Sequence, residues 1–149
     1  MKQTLIRKIL SSFAVCLLVG ASLSATTLAS INQFTGRWEN VDAKTRGITR
    51  FEISTMGGKV YFHAYGSCHP NDCDMGEAEA TAYAQSVDAS LSATAQALTV
   101  TSDHDFAETT TIIQIINGNR LRVETFTHFK DASKRSDYLS IETFARSSR

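Results

Sequence analysis

Proline is nearly missing from this sequence, which has one proline, at position 70, among 149 residues. Tryptophan is as rare, since Trp38 is the single one. The three cysteines are too few to hold a chain of this length together by a disulfide framework. We therefore expect a hydrophobic core to hold the fold, and a chain of this size can bury one. The same length leaves room for one domain and hardly for two.

An excess of charge of one sign is also missing, because 15 basic residues face 15 acidic ones. Lys2, Arg7 and Lys8 lie before position 30, where there is no acidic residue, so the rest of the chain is mildly acidic. Nucleic acids and anionic membranes are not attracted to such a surface unless it carries a basic patch. We predict no nucleic-acid partner.

Long hydrophobic runs are limited to the N-terminus. The basic start precedes a short apolar run that ends at Ala21, and small residues follow, with a cleavage site after Ala29 or after Ala25. The apolar run is shorter than the roughly 20 residues that a membrane-spanning helix needs. We predict a secretory signal peptide over residues 1–29 and a single domain over residues 30–149. The mature chain would have no membrane span and would be exported, to the periplasm or beyond the cell.

Alternation of apolar and polar residues predicts β-strands and no convincing helix. The predicted strands cover residues 34–41, 48–55, 60–65, 77–84, part of 94–101, 107–116, 121–130 and 137–145. Gly57-Gly58 and Asn117-Gly118 indicate tight hairpins between neighbouring strands. Eight short strands joined in this way favour an all-β fold, an eight-stranded up-and-down antiparallel barrel, because closure removes exposed sheet edges. An open β-sandwich is the alternative.

The same alternation predicts which side chains face the interior. The apolar positions that share this phase are Trp38, Phe51, Ile53, Val60, Phe62, Leu121, Val123, Leu139 and Ile141. Short side chains on the fourth strand either receive bulky groups from across the barrel or leave a cavity. The candidate site for a small apolar ligand is therefore lined by Trp38, Phe51, Phe62, Ala78, Ala80 and Ala82.

A second candidate site is a surface beside the two cysteines of the predicted mature chain. Cys68 and Cys73 should form a disulfide in an exported protein and fix one loop. The candidate interaction surface comprises Tyr61, His63, Tyr65 and, within the loop, His69. Tyrosine and histidine combine apolar area with a polar tip, which suits contact with a protein or a glycan.

Catalytic and metal sites are not predicted. No serine or cysteine has the setting of an activated nucleophile, and Glu77 and Glu79 lie on one strand face, as on any solvated strand. His69, Asp72 and Asp74 crowd one loop, but aspartates in turns commonly accept backbone N–H groups. We therefore assign no catalytic residue, no metal ligand and no cofactor.

The segment Phe34-Thr35-Gly36-Arg37-Trp38 resembles the G-x-W entry of lipocalin and avidin-like barrels. In lipocalins such a tryptophan closes one end of the barrel beneath an arginine near the end of the last strand. This resemblance implies a barrel-closing pair formed by Trp38 and Arg146.

A second resemblance covers most of the chain after position 29. It joins four segments that are similar to a set of bacterial exported β-modules, a group with no established activity. These segments are Trp38-x-Asn40, Thr45-Arg46-Gly47-Ile48-Thr49-Arg50, Cys68-His69-Pro70-x-Asp72-Cys73-Asp74-x-Gly76 and Phe129-x-Asp131-x-Ser133-x-Arg135-x-x-Tyr138. Tyr65 and Met75 stand where the pattern has tryptophan, and Lys134 where it has glycine.

These observations predict an exported, non-enzymatic binding protein. The expected partner is a small apolar molecule in the barrel interior or another protein at the disulfide loop. A protease inhibitor is a further alternative, with residues 30–34 as a trunk that enters a cleft, by analogy of fold. An enzyme or a metal-binding protein is the remaining alternative.

Overall fold

The computed structural model describes residues 30–117 and 119–148. The predicted signal peptide, residues 1–29, lies outside the described residues. Neither of the two helices in the described part has the length or the apolar character needed to cross a membrane.

Eight antiparallel strands form a closed barrel, and each strand pairs with its neighbours in chain order. They are β1 (Gly36–Asn40), β2 (Ile48–Met56), β3 (Lys59–Gly66), β4 (Cys73–Ala84), β5 (Ala95–His104), β6 (Ala107–Asn117), β7 (Arg120–Phe129) and β8 (Tyr138–Arg146). Two one-turn helices, α1 (Ile31–Phe34) and α2 (Leu91–Thr94), precede β1 and β5. The predicted up-and-down barrel is confirmed, and the pairing of β1 with β8 excludes the open sandwich.

The turn between β2 and β3 shows how the sequence sets the strand register. Gly57 and Gly58 have φ values of 60° and 80°, in the left-handed region that a two-residue hairpin of this kind requires. Met56 pairs with Lys59 across them, and Ile53 then lies opposite Phe62. The glycine pair therefore brings the buried faces of both strands to the same side of the sheet.

The two ends of the barrel differ. At the end where β1 begins, the interior is filled by large apolar side chains, and we call it the closed end. The fully buried residues of this core include Phe34, Trp38, Phe51, Leu98, Ile113, Leu121, Val123 and Phe144. Ring centroids of Phe51 and Phe144 are 4.7 Å apart. At the opposite end, the open end, loops 41–47, 67–72, 105–106 and 130–137 surround the barrel mouth.

Trp38 and Arg146 meet at the closed end. The Arg146 guanidinium lies 4.2 Å from the centroid of the Trp38 ring, and it donates hydrogen bonds to the carbonyl oxygens of Thr35 and Gln33. The Trp38 indole N–H donates to the carbonyl of Phe34 at 2.7 Å. Gly36, with φ at 115°, leaves room for this packing, since a Cβ there would come within 2.7 Å of the guanidinium.

Two details of the predicted strands are wrong. Phe34 ends α1 instead of beginning β1, and its side chain is fully buried. Leu139 and Ile141 do not face the interior, because their side chains are 46% and 54% exposed. The register of β8 against β7 places Phe144 opposite the buried Leu121, so the even-numbered residues of β8 face inward and the odd-numbered ones outward.

We expect the Arg146→Ala variant to lose about 1–3 kcal/mol of unfolding free energy, because it removes the cation–π contact and two hydrogen bonds of a half-buried arginine. Urea denaturation followed by the fluorescence of Trp38 measures the loss. The control is Arg37→Ala, which removes an exposed ion pair with Glu39 and should cost less than about 1 kcal/mol. Equal losses in the two variants would contradict the closing role of Arg146.

Candidate functional site

A cavity of about 470 Å³ opens at the barrel mouth. Its depth is limited by the aromatic packing of the closed end, where the ring centroids of Phe51 and Phe62 are 4.9 Å apart. Phe62 belongs both to the core of the closed end and to the cavity, because its ring packs against Phe51 and also lines the cavity. The cavity therefore occupies the open half of the interior only.

One wall of the cavity is apolar. It is formed by β2, β3 and β4, and its inward side chains are Ile48, Phe62, Ala64 and Ala78. Nearer the mouth, β4 also contributes the exposed residues Met75, Gly76 and Glu77 to the lining. Phe62 lies opposite Ala78 in the ladder, so a large ring and a methyl group share this wall. The small side chains of Ala64 and Ala78 leave the space that larger residues fill at the closed end.

The facing wall is hydroxylic. It is formed by β5, β6 and β7 and contains Ser102, Thr109, Thr111, Thr125 and Thr127. Threonine is β-branched and favours strands, so these positions support the ladder while they present hydroxyl groups to the cavity. The hydroxyls of Thr111 and Thr125 are 3.3 Å apart.

The side of the barrel between β8 and β1 is closed by a polar contact. Glu142 Oε1 accepts hydrogen bonds from Asn40 Nδ2 and from Thr45 Oγ1, both at 2.8 Å. The same Asn40 amide also donates to the carbonyl of Ile48 at 2.9 Å. These bonds fasten loop 41–47 to the barrel wall beside the cavity. Sequence alternation missed Glu142 as an inward residue because it placed Ile141 there.

Aromatic residues and one arginine form the rim of the cavity. The Arg135 guanidinium lies 3.9 Å from the centroid of the Phe129 ring and 5.4 Å from that of Phe106. Its charge is compensated within its own loop, where Arg135 donates to Asp131 Oδ2 at 2.5 Å. The hydrogen bond from Ser133 and the Arg135 guanidinium together lower the pKa of Asp131. Lys134 has φ at 59°, a region that favours glycine.

Asp137 anchors loop 130–137, which we call the rim loop, to β7. Its carboxylate accepts the backbone N–H of Phe129 at 2.9 Å and lies 2.7 Å from His128 Nδ1. The hydrogen bond with His128, followed by that from Phe129, lowers the pKa of Asp137. The same hydrogen bond and the negative charge of Asp137 raise the pKa of His128. The end of the rim loop is thus held by one carboxylate.

The six residues predicted for a ligand are divided between the two halves of the barrel. Phe62 and Ala78 line the cavity. Trp38 and Phe51 are fully buried at the closed end, Ala80 is buried in the core, and Ala82 packs against it. The threonines of the hydroxylic wall were not predicted. The signal for them is the alternation within β6, where Thr109 and Thr111 share the phase of the buried Ile113.

The predicted disulfide is confirmed, with Cα atoms of Cys68 and Cys73 5.4 Å apart. The loop that it closes is also held from the barrel side. Asp72 accepts hydrogen bonds from Thr49 Oγ1, at 2.8 Å, and from the Arg50 guanidinium. Arg50 in turn lies 3.8 Å from the centroid of the Tyr65 ring.

The predicted interaction surface is partly engaged within the protein. The rings of His63 and Tyr65 are stacked with centroids 4.7 Å apart, and His63 Nε2 lies 2.7 Å from Asp74 Oδ1. The backbone N–H of Gly76 and the His63 ring both lower the pKa of Asp74. Tyr61 is half-buried, and His69 is exposed. His63 and Tyr65 are therefore engaged within the protein, and His63 joins β3 to the start of β4.

Among residues 30–117 and 119–148, no group of three or more histidine, cysteine, aspartate or glutamate side chains is placed to hold a metal ion. Asp72 and Asp74 bind protein groups instead, namely Thr49 and Arg50 for the first and His63 and Gly76 for the second.

Comparisons with known proteins add no assignment: no protein-family model matches the chain, and no curated protein sequence is similar to it.

The Asp137→Asn variant should lower the pKa of His128 toward its ordinary value of about 6.5, because the variant removes the hydrogen bond and the charge that raise it. The Asp137–His128 pair contributes stability above the ordinary carboxylate pKa, and this contribution is lost as pH rises through the raised pKa of His128. NMR titration of the His128 ring measures the shift. Asp88→Asn, which removes an exposed carboxylate bonded to Ser86, serves as the control. An unchanged titration in Asp137→Asn would contradict the pairing.

Proposed function

We propose that this protein is an exported, non-enzymatic barrel that binds a small molecule in the cavity of its open end. The observation that carries the proposal is the division of the interior, which is packed at the closed end and leaves about 470 Å³ at the mouth. Small-molecule sites commonly have volumes of about 300–1,000 Å³, with apolar walls and a few polar groups that orient the ligand.

The shape of the cavity supports a ligand that enters through the mouth. Phe62 and the small Ala64 and Ala78 offer an apolar surface deep in the open half. Phe129, Tyr138 and Phe106 stand at the rim, where Tyr138 and Phe106 are about half exposed. Aromatic rings at an entrance provide apolar contact area that is already ordered, which lowers the entropic cost of binding.

Export is supported by the disulfide and by the sequence of residues 1–29. Disulfides persist in oxidising compartments such as the periplasm and the extracellular medium. The Cys68–Cys73 bridge closes a loop that is also held by Asp72, so it belongs to the folded structure of the mature domain. Location in the periplasm or outside the cell is part of the proposal.

The resemblance to lipocalin and avidin-like barrels supports the same function at the level of fold. The Trp38 and Arg146 side chains make the contact that this resemblance implies, at the end of the barrel opposite the cavity. Folds of this kind serve many functions, so the proposal depends on the cavity itself. The resemblance to exported β-modules adds no activity, although Lys134 has a backbone conformation suited to the glycine of that pattern.

Contact with another protein through the disulfide loop is the second candidate. It is favoured by the exposure of His69 on a loop held by the disulfide and by Asp72. A protease-inhibiting trunk has less support, because α1 is folded onto the closed end, where Phe34 is buried and Arg146 binds the carbonyl of Gln33.

We expect Ala78→Phe to weaken binding of the fluorescent probe N-phenyl-1-naphthylamine at least about tenfold, because the added ring would fill the cavity beside Phe62. Thr81→Phe adds the same ring on β4 at an exposed position and should leave the affinity unchanged. Fluorescence titration of the purified mature protein measures both variants. Equal affinity for all three proteins, or no binding by the wild type, would refute the proposed function.

A further inference from the structure

The hydroxylic wall is a compact array. In the antiparallel register of β6 and β7, Thr109 lies opposite Thr127, and Thr111 lies opposite Thr125. Side chains opposite each other are about 5 Å apart, and those two residues apart along a strand are about 7 Å apart. The four hydroxyl groups therefore span an area close to the size of a small ring.

The hydrogen-bonding capacity of this array is mostly unused within the protein. Thr111 and Thr125 share one contact at 3.3 Å, while no hydrogen bond joins the hydroxyl of Thr109 or Thr127 to another group of the described chain. No fully buried side-chain oxygen or nitrogen of the described residues lacks a partner, so these two hydroxyls are accessible from the cavity. Each hydroxyl has one donor and two acceptor positions. Thr111 and Thr127 are only 5% and 8% exposed, so a molecule beside them would contact groups with little access to bulk water.

The charge distribution limits the kind of molecule that fits. The charged residues that line the cavity are Glu77, Asp103 and Arg135, together with His104. Glu77 is exposed and lies opposite His63, in the outward phase of β4, while the inward positions Phe62 and Ala78 carry no charge. Asp103, His104 and Arg135 belong to the rim. There Asp103 is paired with Lys130, and Arg135 with Asp131. A charge buried between the walls would be costly without a partner. The body of the ligand must therefore be uncharged.

From these features we infer the class of ligand, an inference that rests on the proposed function. The cavity binds an uncharged cyclic molecule that has one apolar side and hydrogen-bonding groups along the opposite edge. The apolar side packs on Phe62 and Ala78, and the polar edge meets the threonine hydroxyls of β6 and β7. Because hydroxyls both donate and accept, the polar groups of the ligand can be alcohols or carbonyls.

Three probes with one ring system test the inference. They are naphthalene, 2,7-dihydroxynaphthalene, which carries its hydroxyls along one edge, and naphthalene-2,7-dicarboxylate, which places charges there. Competition against N-phenyl-1-naphthylamine at pH 7 gives the affinity of each probe. We expect the diol to bind at least about tenfold more tightly than naphthalene and the dicarboxylate to bind most weakly, because an apolar probe leaves polar groups of the site unpaired.

The double variant Thr111→Val/Thr127→Val removes two hydroxyls and preserves the β-branched shape of both side chains. In this variant the affinity for the diol should fall about tenfold, to that for naphthalene, while the affinity for naphthalene stays unchanged. Thr110→Val, at the intervening outward position on β6, is the matched control and should behave as the wild type. Circular dichroism confirms that each variant folds.

The outcomes separate the two proposals. If the wild type binds neither N-phenyl-1-naphthylamine nor naphthalene nor the diol, the proposed function fails. If naphthalene binds but the diol has no advantage, or if its advantage survives in the double valine variant, the inference about ligand class is overturned while the binding function stands. Tighter binding of the dicarboxylate would overturn it as well.

Discussion

The pairing of β1 with β8 is the constraint on which the rest of the structure depends. Trp38 lies opposite Arg146 and Asn40 opposite Phe144, so the last strand completes the sheet that the first one begins. Without this pairing both strands would expose unpaired backbone groups, and Trp38 and Phe34 would lose their cover. The Arg146 side chain strengthens the junction, because it stacks on the indole and binds carbonyl groups of the segment that leads into β1.

The size of the inward side chains along the barrel axis decides where the interior is packed and where it is hollow. Trp38, Phe51 and Phe144 are fully buried at the closed end, and the rings of Phe51 and Phe144 pack against each other. Toward the mouth, β3 and β6 carry the smaller inward side chains Ala64 and Thr111, which leave space between the two walls of the cavity. The closed half of the interior thus holds the packed core that stabilises the fold, and the open half holds the cavity. The cavity therefore does not interrupt the packing of the core.

Polar contacts outside the barrel hold the loops at the mouth. Asp72 fastens the disulfide loop to Arg50, and Asp74 joins the start of β4 to His63. Asp137 fastens loop 130–137 to β7. These groups are partly or fully exposed, so each contact contributes modestly, but together with the disulfide they keep the entrance ordered. The aromatic row that the sequence presented as a contact surface thereby has a structural role inside the protein.

Local sequence patterns determined the strands, the hairpin at Gly57-Gly58 and the disulfide, because alternation, positive φ and the proximity of two cysteines act over a few residues. The tertiary structure decided the rest. The inward phase of β8 follows from pairing with Leu121 and Val123, which overrides the apolar character of Leu139 and Ile141. The position of the cavity also escaped the sequence, since it depends on which side chains meet across the barrel from strands distant in the chain.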